Sequence, residues 1–321
     1  MRNMKIVLFL LLFLPFSSPG QQMGTFQFRP GMRRHASNGL IASWKGNQTS
    51  SKDEIQIYDF KSNILAHFGV LQLVPDAKTA SVWDVAVKPG GPIAVGVVYA
   101  KPGGVQNALL LFGLDGKLQK VFALAPSRGI QLLEFDDDSN IWTLTSSSGD
   151  KPPAQVPLLV EYDLAGREIR KLFTRDAFPI HATLTKASHE SGYASMGFAA
   201  GTLWVWLPGS TDLITVKTLS GEASRVTTGL PDLPPQVYPS TVSRVSDDSY
   251  LLAALDQSGA PGVSVEPQFF TWSMQSKQWT AANPSGECQD EKLILGAYEN
   301  KPLLLGIRSN QICLGNLAGV R

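Results

Sequence analysis

The sequence predicts an all-β protein, a six-bladed β-propeller with four antiparallel strands per blade. Three observations predict it. Short polar turns recur, and with Asn38, Gly90, Asp138, Glu190, Asp248 and Asn300 as markers the steps are 52, 48, 52, 58 and 52 residues. A second turn series runs out of phase with the first, so each unit of about fifty residues holds two hairpins. Apolar positions alternate or form short blocks, as in Val82-Trp83-Asp84-Val85-Ala86-Val87, and no segment of ten or more residues has convincing helical periodicity. Four short strands cannot bury both faces alone, and radial stacking lets each sheet cover its neighbours.

In chain order, Thr25-Phe26-Gln27-Phe28 comes first and has no unit of its own. It is expected to supply the missing strand of the last blade and close the ring, because an open sheet edge invites aggregation. The inner turns are Ser37-Asn38-Gly39, Gly90-Gly91, Asp137-Asp138-Ser139-Asn140, Glu190-Ser191-Gly192, Asp247-Asp248-Ser249 and Glu299-Asn300-Lys301. Gly, Asn and Asp tolerate the positive φ that tight hairpins require. The outer series is Lys61-Ser62-Asn63, Asp115-Gly116-Lys117, Ala165-Gly166-Arg167, Pro208 to Asp212, and Gln275-Ser276-Lys277. The runs it separates, Ile55–Phe60 from Ile64–Phe68 for example, have the length of ordinary strands. Past Leu314 too little chain remains for a fourth strand in the sixth unit.

Residues 1–20 read as a secretory signal: Arg2 and Lys5, then the apolar run Ile6 to Leu14, then Ser17-Ser18-Pro19-Gly20. The run is too short for a membrane span, and residues 21–321 are expected to form one propeller domain with no stable membrane insertion. With Arg2 and Lys5 removed, 26 basic residues face 27 acidic ones. That balance argues against nucleic acid as a partner, whose phosphates require excess Lys and Arg. Export places Cys288 and Cys313 in an oxidising compartment. A structural bridge between them is favoured over two buried thiols or a redox pair, which would want a C-x-x-C spacing.

The stretch Phe135-Asp136-Asp137-Asp138-Ser139-Asn140-Ile141-Trp142 resembles the strand–turn–strand motif of six-bladed NHL-like and gluconolactonase-like propellers. Leu159 to Arg167 resembles the aromatic-Asp-x-x-Gly outer hairpin of the same folds, and Leu114-Asp115-Gly116-Lys117 and Ile57-Tyr58-Asp59-Phe60 echo it. Ser139 stands where the family usually has a turn glycine, and the fourth and sixth units match poorly. The resemblance speaks to architecture, since such propellers host many unrelated functions.

Asp136-x-Asp138-x-Asn140 has the oxygen spacing of a calcium-loop start, but Ile141 breaks the pattern and a hairpin turn is the better reading. His35, His67, His181 and His189 have no metal-ligand spacing, and neither a nucleophile elbow nor a phosphate loop is present. Asn47-Gln48-Thr49 is a glycosylation sequon. Propeller sites lie where inner strands ring the channel mouth, and these strands are expected to start near Val82, Ile130, His181, Pro239 and Lys292. Trp83, Asp84, Arg128, His181, Tyr238 and Glu291 are therefore the candidate ligand-binding rim. His181 is the favoured titratable group among them.

The expected function is non-catalytic binding of a protein, glycan or small ligand through one face, with no cofactor. The alternative, implied by the gluconolactonase-like resemblance, is a channel-mouth hydrolase with a divalent metal on Asp84 or Glu291.

Overall fold

The structure is a computed structural model. It describes residues 32–50, 53–74, 77–125, 128–147, 155–178, 194–234, 237–256, 267–286, 292–298, 301–306 and 311–317. It is an all-β propeller of six blades. Blade 1 holds β1 (Met32–Ser37), β2 (Leu40–Lys45), β4 (Glu54–Asp59) and β5 (Ile64–Gly69). Blade 2 holds β6 (Thr79–Val87), β7 (Ile93–Lys101), β8 (Gly104–Phe112) and β9 (Leu118–Ala123), with β3 (Asn47–Gln48) added beside β6. Blade 3 holds β10 (Arg128–Phe135), β11 (Ile141–Ser147), β12 (Pro157–Tyr162) and β13 (Glu168–Thr174). Blade 4 holds β14 (Ser195–Ala199), β15 (Thr202–Leu207), β16 (Asp212–Lys217) and β17 (Ala223–Thr227). Blade 5 holds β18 (Val237–Arg244), β19 (Ser249–Asp256), β20 (Gln268–Ser273) and β21 (Trp279–Ala282). Blade 6 holds β23 (Lys292–Tyr298), β24 (Lys301–Gly306) and β25 (Ile312–Asn316), and β22 (Ser285–Gly286) pairs with the outer side of β25. A 3-10 turn spans Arg175–Ala177, and no α-helix occurs among the described residues. No helix among them is long and apolar enough to cross a membrane.

Six apolar clusters hold the blades together, one between each adjacent pair. They follow from strand alternation, which sends successive side chains to opposite faces. On β15, Leu203, Val205 and Leu207 pack toward blade 3, whereas Trp204 and Trp206 pack toward blade 5. The circle closes where Ile41 and Tyr58 of blade 1 meet Leu303, Leu305 and Ile312 of blade 6. The innermost strands touch in ring order, β1 to β6, β10, β14, β18, β23 and back to β1.

The outer turns share one device. Asp59 accepts hydrogen bonds from the N–H groups of Lys61 and Asn63, Asp163 from those of Ala165 and Arg167, and Asp115 from that of Lys117. Ser273 takes this part in blade 5, accepting from Gln275 and Ser276. Each short side chain folds its hairpin locally, which is why the aromatic-Asp-x-x-Gly pattern repeats. Asp136 turns back in the same way, accepting from Asn140 N–H at 2.8 Å and from Trp142 Nε1 at 3.1 Å. That spacing is therefore a hairpin turn.

Blade 4 departs from the expected phase. Its inner turn is Ala200-Gly201, both in the left-handed region at φ 49° and 70°. The turn between Leu207 and Asp212 joins the second and third strands, and the outer turn lies between Lys217 and Ala223. Among the described residues the innermost strand of that blade is Ser195–Ala199, and the start expected near His181 lies outside the described residues. Glu190-Ser191-Gly192 lie outside the described residues, as do residues 1–31, including the segment 25–28 assigned to ring closure. The edge of β25 expected to take that segment is paired with Ser285 and Gly286.

Candidate functional site

The innermost strands leave one edge open toward the ring axis. There they enclose a cavity of about 160 Å³ to which all six blades contribute. Its wall carries Arg34, His35 and Ser37 from β1, Asp84 from β6, Glu134 from β10, Thr241 and Arg244 from β18, and the small or apolar residues Ala194, Met196, Gly197, Trp204, Ile294 and Gly296.

Bulges set the register of this wall. One residue is inserted in β6 between Val82 and Asp84, in β10 between Ile130 and Leu132, in β18 between Pro239 and Thr241, and in β23 between Ile294 and Gly296. A bulge re-aims the side chains beside it. In β6 the inserted residue is Trp83, whose side chain stays 41% exposed, and the next residue, Asp84, is 2% exposed on the cavity wall. Polar side chains of one blade then tie down backbone N–H groups on the next. Asp84 Oδ2 accepts from Leu133 N–H at 2.7 Å, and Ser195 Oγ accepts from Val242 N–H at 3.0 Å.

A charged cluster spans blades 1 to 3. The His35 ring has Nδ1 3.1 Å from Asp84 Oδ1 and Nε2 3.5 Å from Glu134 Oε2. Glu134 Oε1 accepts from Ser37 Oγ at 2.5 Å and from Phe135 N–H at 3.0 Å. Burial works against a charge on His35, but Asp84 and then Glu134 raise its pKa well above the ordinary imidazole value. The ring is therefore an imidazolium held between two carboxylates. On blade 5 the Arg244 guanidinium donates to Ala199 O at 2.7 Å, to Ser246 O at 3.0 Å and to Asp247 Oδ1 at 2.9 Å. Thr241 Oγ1 is buried without a hydrogen-bond partner.

The structure distributes the sequence-predicted rim widely. Asp84 lies on the cavity wall. Trp83 is outside it, with Arg33 Cζ 5.8 Å from its ring centre and Arg33 Nη1 donating to its carbonyl at 3.4 Å. Arg128 is tied within blade 3, to the Tyr162 hydroxyl at 3.0 Å and to Glu168. Tyr238 is half-buried, opposite Leu255 on β19, away from the wall. His181, Glu291 and Cys288 lie outside the described residues, and Cys313 is buried between blades 5 and 6. Among the described residues no group of three or more His, Cys, Asp and Glu is arranged to hold a metal ion. Sequence reasoning missed Arg34, His35, Glu134 and Thr241. The usable signal was the inner turn series itself: counting back from Asn38 and Asp138 puts His35 and Glu134 on innermost strands.

No protein-family model matches the chain, and no curated protein matches it by sequence. Its fold is found among solved structures. A putative exported protein from Bacteroides fragilis superposes with a TM-score of 0.54 at 10% identity, over 95% of this chain and 98% of that one. A protein of unknown function from Bacteroides caccae gives 0.44 at 10% identity over 77% and 80%, and YjhT gives 0.46 at 10% over 92% and 94%. At these identities the likeness concerns the fold.

Proposed function

We propose that this protein is an exported, non-catalytic binding module that takes a small ligand in the axial cavity of its propeller. The observation that carries the reading is the convergence of all six innermost strands on one cavity, where charged groups of blades 1, 2, 3 and 5 alternate with small and apolar groups of blades 4 and 6. Concave sites with a few oriented polar groups in an apolar surround are the usual form of a small-molecule site. The polar groups are held in place by one another: His35 lies between Asp84 and Glu134, and Asp84 is anchored on Leu133 N–H. Such a set is preorganised to hold a ligand, because its ordering cost is met before binding. Export rests on the signal-like residues 1–20, and the exported protein from Bacteroides fragilis is a structural parallel.

A thermal-shift screen of small polar compounds tests this reading. Compounds that bind should raise the Tm of the native chain and leave an Ala297→Phe variant, whose new ring fills the cavity, unshifted. Equal shifts in both proteins would place binding elsewhere.

A further inference from the structure

We infer that the axial cavity is built for an uncharged polyhydroxyl ligand about the size of one sugar ring; this inference rests on the axial-cavity reading above. Charge balance is the first argument. Among the described wall residues of blades 1 to 3, Arg34 and the His35 imidazolium carry two positive charges, and Asp84 and Glu134 carry two negative ones. Arg244 is neutralised by Asp247. A charged ligand would upset this balance in a desolvated site, where an unpaired charge is costly. An uncharged one would not.

Hydrogen-bonding capacity is the second argument. A carboxylate offers about four acceptor sites. The contacts made by Asp84 are one to His35 and one to Leu133 N–H, and those of Glu134 are to Ser37, Phe135 N–H and, at 3.5 Å, His35. Both carboxylates retain lone pairs for ligand hydroxyls. Thr241, on the blade opposite Asp84, brings a hydroxyl without a partner. A ligand that both donates and accepts at several positions satisfies this set, which is the property of a polyol ring.

Shape is the third argument. The wall on blades 4 and 6 carries the apolar side chains of Met196, Trp204 and Ile294. It suits the C–H face of a ring. A volume of about 160 Å³ matches a single ring; an engineered protein cavity of about 150 Å³ holds benzene.

The test is a titration of the full chain, with its methionine methyl groups carbon-13 labelled, against three probes of one shape: methyl glucoside, glucuronic acid and glucosamine. Met196 is the methionine on the wall. Methyl glucoside should shift the Met196 methyl signal and bind at least tenfold more tightly than either charged analogue. Thr241→Val should weaken it by about tenfold while the fold is retained, since that hydroxyl has no protein partner to lose. Tighter binding of a charged analogue, with Met196 shifted, overturns the ligand class and leaves the axial site standing. Absence of a Met196 shift with all three probes overturns both.

Discussion

His35 determines whether the inner wall is balanced. It faces Asp84 from β6 and Glu134 from β10, with Arg34 beside it on β1. Its pKa in the unfolded chain is about 6.5 and its folded value is well above that. The stabilisation it brings is therefore fully present below pH about 6.5 and is lost as pH rises through the folded value. Urea midpoints of the native chain should fall across that alkaline window relative to those of His35→Gln; parallel profiles would contradict the assignment. Truncating Asp84→Ala should cost about 3–5 kcal/mol, because it removes the acceptor for Leu133 N–H and leaves the imidazolium half-paired. Asp84→Asn, which keeps an oxygen for Leu133, should cost less in the same denaturation assay. Asp84 was legible in the sequence as an acidic residue on an inner strand. His35 was not, because its partners Asp84 and Glu134 stand 49 and 99 positions away and meet it only after the ring closes.

Strands and hairpins were far more legible, because a local rule writes each of them. Asp59, Asp115 and Asp163 fold their own outer turns within four residues, so sequence pattern and geometry coincide there. Blade 4 was misphased because Ala200-Gly201 lacks the polar turn chemistry of the other inner hairpins, while the prominent Pro208-Gly209 lies on the opposite connection. Closure depends on a close approach between β1 and β23. A Cβ built on Gly296 would lie 3.0 Å from Ala36 O, a backbone atom with little room to yield. Gly296→Ala should therefore lower Tm, whereas Ala297→Gly, one residue along, should perturb only the strand. Blade 6 adds a covalent prediction. A Cys288–Cys313 bridge should appear as a linked peptide in a non-reducing digest, and reductant should remove about 3 kcal/mol of stability. Two separate thiol peptides would contradict the bridge.

The six interblade clusters make the molecule one cooperative ring, since no blade buries both faces without its neighbours. The same closure gathers six innermost strands around the axis and converts scattered residues into one wall. Binding at that wall is what distinguishes this account from a propeller that works through its rim, where Trp83 and Arg33 meet solvent. A crystal structure of the full chain grown with methyl glucoside separates the two. The account predicts the ring seated within hydrogen-bond distance of Asp84 or Glu134 and against Met196; a sugar found only on Trp83, or on the outer strands, would contradict it.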